Sequence, residues 1–371
     1  MKILKKALCF CLLSAMLLTA VACGETYKPQ KSTEEENTTV FTLTYGKKTY
    51  DVKYELYRAL FLTYRDAVDG GDTSVWTDER AEAAKADINR KIFRQITDIY
   101  AVIALCDEVG CKLYGKEADK EVQEYIRESV EGLGDDSGYG TYDAFLASLK
   151  ERNLNYAVFD LLCRYEIGRA MLSEYYFGTK DEYSGIVSGG TRTVTEEELA
   201  AFFADSGTAR VLMAYLSRDA YTKERAEAVR TTVAVVAAEQ SNLADREAAV
   251  ADYLLRHTAA VASYIEKGQW ISAYSLDDPA YDDLAAAVAA LAVGEVGDLV
   301  ELSVGSVSGY YLVYRAEKTD DMLTSQHAEI LAAYKNHLMG QAVRSVADAL
   351  SESMTTTSFF DGLRLSDIHM S

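Results

Sequence analysis

The sequence predicts an α+β protein made of a helical N-terminal part, a mixed helix–strand module and a closing helix. Three observations predict it. Apolar residues recur at helical spacing from residue 52 to residue 204. Between 209 and 315, strand-length apolar runs alternate with helices in the order β-α-α-β-α-β-β, ending in an antiparallel pair. From Ser325 to Ser351 a long amphipathic period resumes, carrying Ile330, Tyr334, Leu338, Val343 and Leu350.

The first element is an address. Lys2, Lys5 and Lys6 form a positive n-region, Ala7 to Leu18 an apolar h-region, and Thr19-Ala20-Val21-Ala22 a run of small residues before Cys23. That pattern reads as a secretory signal peptide over residues 1–22. Small residues directly before a cysteine resemble a bacterial lipobox, which implies lipid on Cys23; Ala20 stands where that motif usually has leucine. A plain signal peptide with an incidental cysteine, or an uncleaved anchor, are the alternatives. The apolar run is short for a spanning helix. Gly24 to Thr39 is polar and aperiodic, and residues 23–40 are expected to be a lipidated tether.

The helical part, residues 41–204, opens with an alternating run, Phe41 to Tyr50, folded about Gly46-Lys47 as a small hairpin. From Val52 the period becomes helical through Leu56, Leu60 and Tyr64, broken by Gly70-Gly71. Thr77-Asp78-Glu79 is expected to cap a long helix whose stripe is Ile88, Ile92, Ile96, Ile99, Ile103 and Cys106, and Gly110 ends it. A charged helix, Glu117 to Gly132, leads into a loop over Gly134 to Gly140. Helices follow near Tyr142–Arg152 and Asn155–Phe177. Thr195 with Glu198 forms a capping box that opens Glu196 to Ala204.

The module at 205–318 starts with the apolar run Ala209 to Ser217. Helices Tyr221–Gln240 and Leu243–His257 come next, then a short strand at Gln269-Trp270-Ile271. Pro279 reads as the first helical position before Tyr281–Leu291. Gly294 to Leu302 and Gly309 to Arg315 read as paired closing strands. Residues 319–371 hold the last helix, expected to return to the helical part.

Acidic residues outnumber basic ones, 58 to 38, for a net charge of −20, so the chain repels phosphate backbones and nucleic acid is excluded as a partner. Loss of residues 1–22 would remove three lysines and no acid. Of six cysteines, Cys9 and Cys11 would leave with the signal; Cys106, Cys111 and Cys163 remain beside Cys23. An odd set does not suggest a disulfide framework, and Cys106 and Cys163 sit on apolar stripes as small hydrophobes. Their redox state is left open. No cofactor fingerprint, metal-ligand spacing, calcium loop or nucleophile elbow is present. His257 ends a helix, where positive charge suits the dipole. The chain has 26 tyrosines, clustered as Tyr54/Tyr57/Tyr64, Tyr175/Tyr176/Tyr183 and Tyr310/Tyr311/Tyr314; they suit either helix edges in the core or adaptable binding.

The segment Gly294-Glu295-Val296-Gly297-Asp298-Leu299 followed by Gly309-Tyr310-Tyr311-Leu312-Val313 resembles the closing strands of parvulin-type peptidyl-prolyl isomerases, and Ala209–Ser217 takes the place of their opening strand. With its helical flanks, the chain resembles SurA-like and PrsA-like extracytoplasmic foldases. The resemblance implies a chaperone-like helical domain, an inserted parvulin-like α/β domain and a returning C-terminal helix. It also implies two strand histidines, but their places fall near Met213 and at Tyr311. The proline pocket's aromatic falls at Leu284, and Ala280 stands where a methionine is frequent. No catalytic residue is assigned; Met213, Trp270, Leu284 and Tyr311 are the peptide-groove candidates.

The resemblance thus implies a membrane-anchored, extracytoplasmic chaperone or foldase. Its partners would be unfolded or newly secreted polypeptides and, through lipid, the membrane; no cofactor and no metal are implied. An active isomerase is the alternative. A solute-binding lipoprotein is a third reading, one that would need two lobes with several parallel strands.

Overall fold

The computed structural model describes residues 27–132, 137–180, 187–260, 262–274, 281–304 and 307–368. The expected signal peptide, Cys23, Tyr183, Pro279, Ala280 and His369 lie outside them, as does part of the loop at 134–140. The chain divides into two compact units, one of residues 1–176 with 345–371, the other of residues 177–344. Among the described residues, no helix is long and apolar enough to cross a membrane.

The first unit begins with the expected hairpin, β1 (Thr39–Tyr45) and β2 (Lys48–Lys53), turning at Gly46 with φ of 60°. A strand with no sequence signal, β9 (Thr355–Thr356), pairs with the other edge of β1, giving the antiparallel order β2-β1-β9. Helices α1 (Tyr54–Asp69), α2 (Ala81–Val109), α3 (Lys116–Glu131), α4 (Tyr142–Glu151) and α5 (Tyr156–Phe177) follow. All six stripe residues of α2 are buried. Gly110 closes α2 in the left-handed region, φ 84°, as expected. The expected cap does not form: α2 starts at Ala81 after Arg80, because the Asp78 carboxylate accepts the Arg80 N–H at 2.8 Å and its guanidinium as well. Thr77 donates to the Ser74 carbonyl, closing a 3-10 turn over Thr73–Trp76.

The polar stretch expected to be a tether is packed from Tyr27 onward. Tyr27 exchanges two hydrogen bonds with the Gln123 amide and lies 5.0 Å from the Tyr142 ring, whose hydroxyl donates to the Lys28 carbonyl. Glu36 is buried against Arg58 at 2.7 Å, and Asn155 donates to Glu55, which also accepts from Ser32. Burial opposes ionisation of Glu36, but Thr33 and Arg58 hold its carboxyl below the usual range. Polar pairing partners distant in sequence, rather than an apolar stripe, hold this segment down.

The second unit holds β3 (Thr179–Lys180) paired with β4 (Val187–Ser188), then α6 (Glu196–Ala204), which opens on the expected capping box. Next come β5 (Ala209–Ser217), α7 (Lys223–Ala238), α8 (Leu243–His257), α9 (Ala262–Glu266), β6 (Gln269–Ile271), α10 (Asp282–Ala290), β7 (Val300–Val304) and β8 (Val307–Ala316). The sheet order is β6-β5-β8-β7, antiparallel throughout. The expected strand at 294–302 is regular only from Val300. Before it, Gly294 and Gly297 donate to Arg315 and Val313 carbonyls while Arg315 donates back to Glu295, so the segment follows β8 irregularly. After α11 (Met322–Ser325), α12 (His327–Glu352) runs through the end of this unit into the residues of the first. A last short helix, α13 (Ser358–Asp361), puts Phe360 within 4.4 Å of Phe41 and 5.2 Å of Tyr57.

Candidate functional site

The period of two along β5 and β8 gives the four-stranded sheet two different faces. On one, Leu212, Ala214, Leu312, Tyr314 and Ala316 are buried beneath Val233 and Ala237 of α7, Val250 and Leu254 of α8 and Ile265 of α9. This face is a closed core. On the other, Ala209, Val211, Ile271 and Val313 form a floor covered by only one described helix, α10, through Leu284 and Val288.

Beyond the cover of α10, this second face is half open. The register sets Met213 opposite Val313 and Tyr215 opposite Tyr311, on the two central strands. Met213, Tyr215, Tyr281 and Tyr311 are each half-buried there. The rings of Tyr215 and Tyr311 lie 5.2 Å apart, and those of Tyr281 and Tyr311 lie 6.0 Å apart, edge to face. Such spacings are favourable for aromatic pairs and leave ring surface for a further apolar group. The Tyr215 hydroxyl donates to the Ser308 carbonyl at 2.9 Å. Burial, with Tyr311 alongside, pushes that hydroxyl above its ordinary range, so it stays neutral.

Three of the four groove candidates therefore meet. Met213, Leu284 and Tyr311 belong to one apolar cluster. Trp270 does not join them. It pairs with Arg210, faces the other way, and is buried against Phe203, with its indole N–H donating to Gln326 at 3.1 Å. A three-residue strand carries too little alternation to show its face in advance. Tyr215 and Tyr281 are the residues the sequence reading missed. For Tyr215 the signal was present, because Met213 and Tyr215 are two apart on one strand and so share a face.

None of the described histidines lies on this face. His257 ends α8 with its ring 4.5 Å from Tyr253, and His327 sits 3.2 Å from Glu196. His337, on α12, places Nδ1 2.8 Å from the buried Ser272 hydroxyl, among Phe202, Tyr274 and Tyr334. Among the described residues, no cluster of three or more His, Cys, Asp or Glu side chains is placed to hold a metal ion. The tyrosines divide as well: Tyr54, Tyr57, Tyr64, Tyr310 and Tyr314 are core, whereas Tyr175 and Tyr311 reach solvent.

No family model and no curated protein matches the chain. Among solved structures, the chain is similar to the foldase protein PrsA of Streptococcus pneumoniae, at 15% identity and a TM-score of 0.31, over 74% of this chain and 88% of that one. PrsA of Bacillus subtilis is similar at 17% identity and a TM-score of 0.24, over 72% and 87%. The PrsA foldase of Lactococcus lactis is similar at 14% identity and a TM-score of 0.24, over 89% and 99%.

Proposed function

We propose that this protein is an extracytoplasmic chaperone or foldase, held at the membrane by lipid on Cys23, that captures unfolded polypeptide on the Met213–Tyr215–Tyr311 face. Its parvulin-like module acts by binding rather than by isomerisation. The observation that carries the reading is this half-open apolar face, formed of a thioether and two tyrosines on the two central strands with Tyr281 beside them, on which none of the described histidines lies.

The chemistry supports that division. Rotation about an X–Pro bond faces a barrier of about 18–20 kcal/mol. Lowering it takes a dry pocket and polar donors that hold the twisted amide better than the planar one. Here the Tyr215 donor is already committed to the Ser308 carbonyl, and the pocket position is the aliphatic Leu284, itself buried between α10 and the floor. Capture demands less. Adaptable Met and Tyr surface binds extended apolar segments by area, at about 25 cal/mol per Å² of apolar surface removed from water. The net charge of −20 keeps such a surface soluble.

The test pairs two assays on the mature chain. Dilution of a chemically unfolded client should show suppressed aggregation at near-equimolar protein, and a proline-limited refolding phase should keep its rate. Acceleration of that phase would make the protein an active isomerase; failure to suppress aggregation would remove the chaperone reading. The anchor has its own test: Cys23→Ala should release the protein from the membrane fraction.

A further inference from the structure

The C-terminal cap of α2 brings two thiols together. At Gly110 the chain enters the left-handed region and turns back, and the N–H groups of Gly110 and Cys111 both point to the Cys106 carbonyl, the latter at 2.8 Å. In such caps the residue after the glycine lies over the last helical turn, usually as an apolar contact. Here both members of that contact are cysteines, Cys111 being held over Cys106 by its own backbone hydrogen bond. Both are free.

The two are unequally placed. Cys106 is fully buried, its Sγ 3.6 Å from the Gly168 carbonyl on α5. Cys111 is half-exposed. Filling core space accounts for Cys106 alone, as it does for Cys163, which is buried in α5. It does not account for a second thiol, partly exposed, at the cap position that lies over the first. An accessible sulfur backed by a buried one is the arrangement of an attacking and a resolving cysteine.

We propose that Cys106 and Cys111 form a reversible disulfide that staples the end of α2 to the turn after it, made by exchange with a disulfide-bearing oxidant, RS–SR. The Cys111 thiol gives up its proton and its sulfur attacks one sulfur of RS–SR. That S–S bond breaks, a mixed disulfide forms on Cys111, and the expelled thiolate takes up the proton. Cys106 then loses its proton and attacks the Cys111 sulfur, and the second thiolate leaves and is protonated. Two protein thiols are oxidised, and one RS–SR is reduced to two RSH. The inference is independent of what the protein captures.

The surroundings set the rate. Burial, with Cys111 and Asp107 beside it, pushes the Cys106 thiol up to about 12, and burial raises Cys111 as well. Neither is a fast nucleophile at neutral pH. Closure should therefore accelerate about tenfold per pH unit between neutrality and the Cys111 value, following the thiolate fraction.

The experiment incubates the full mature chain with glutathione disulfide at several pH values, blocks remaining thiols without reduction, and maps peptides by mass. The expected product is a single tryptic peptide, residues 95–112, lighter by two hydrogens and unblocked, with Cys163 still a thiol. The oxidised chain should also melt at a higher temperature than the reduced one. Cys111→Ser, which keeps Gly110 and the cap, should abolish both differences. Persistent glutathione on Cys111 without closure, or a peptide with both thiols blocked at every pH, would overturn the proposal. So would closure in which Cys163 takes the place of Cys106.

Discussion

Tyr215 and Tyr311 stand directly opposite each other on the two central strands of the second unit, ring centroids 5.2 Å apart, with Met213 one pleat away on the same face. A half-buried cross-strand aromatic pair beside an apolar floor is the kind of anchor that dominates binding energy. Tyr311→Ala should weaken capture of an unfolded peptide about tenfold, or about 1.4 kcal/mol. Fluorescence anisotropy with a labelled client peptide reads this, and an unchanged affinity would take the face out of the mechanism.

A second prediction concerns Arg210, whose side chain is almost fully buried on β5. Its guanidinium donates in bidentate fashion to Glu247 at 2.6 and 2.9 Å and to the Lys267 and Glu317 carbonyls. Removing one partner of a buried pair strands the other charge. Glu247→Ala should therefore cost about 3 kcal/mol, visible as a lower urea midpoint, and Glu247→Gln should cost less because it still accepts a hydrogen bond.

Gly168 on α5 packs directly against α2. A Cβ built there would sit 2.8 Å from Val102 Cγ1 and 3.3 Å from Cys106 Sγ. Gly168→Ala should destabilise the first unit by about 1–3 kcal/mol through overpacking, despite alanine's better helix propensity. A rise in stability would mean that the helices part without cost.

His337 gives a pH dependence of definite sign. Burial holds its ring below the ordinary value of 6.5, against the weaker pull of Asp205. The unfolded chain therefore takes up this proton first as pH falls. The stability contribution is complete above pH 6.5 and is lost progressively down to the folded-state value. Melting temperatures between pH 7.5 and 5.5 should fall more steeply in the native chain than in His337→Gln, and equal slopes would assign the acid response elsewhere.

What could be read from the residues alone follows the range of the forces involved. Strand Ala209–Ser217, the Thr195 capping box, the α2 stripe and the Gly110 stop are local patterns, and each appears where its pattern lies. The docking of Tyr27 on Gln123 and of Thr356 on Phe41 depends on partners far along the chain, and nothing near either residue announces it. The site was half legible: alternation on β5 and β8 brings Met213 and Tyr311 to one face, while Trp270, opposite Arg210, takes the other, which the three residues of β6 are too few to announce. Asp78 was misread as a cap because its carboxylate had a stronger claimant in Arg80.

Because β1 lies between β2 and β9, with Phe41 touching Phe360, the first unit draws on both ends of the chain. Chains emerge N-terminus first. While residues 177–344 complete their own unit, β1 waits with one edge bare and its aromatic cluster unfinished. The part made earliest is thus the last to mature, so the first unit closes only after every residue of the second has been synthesised.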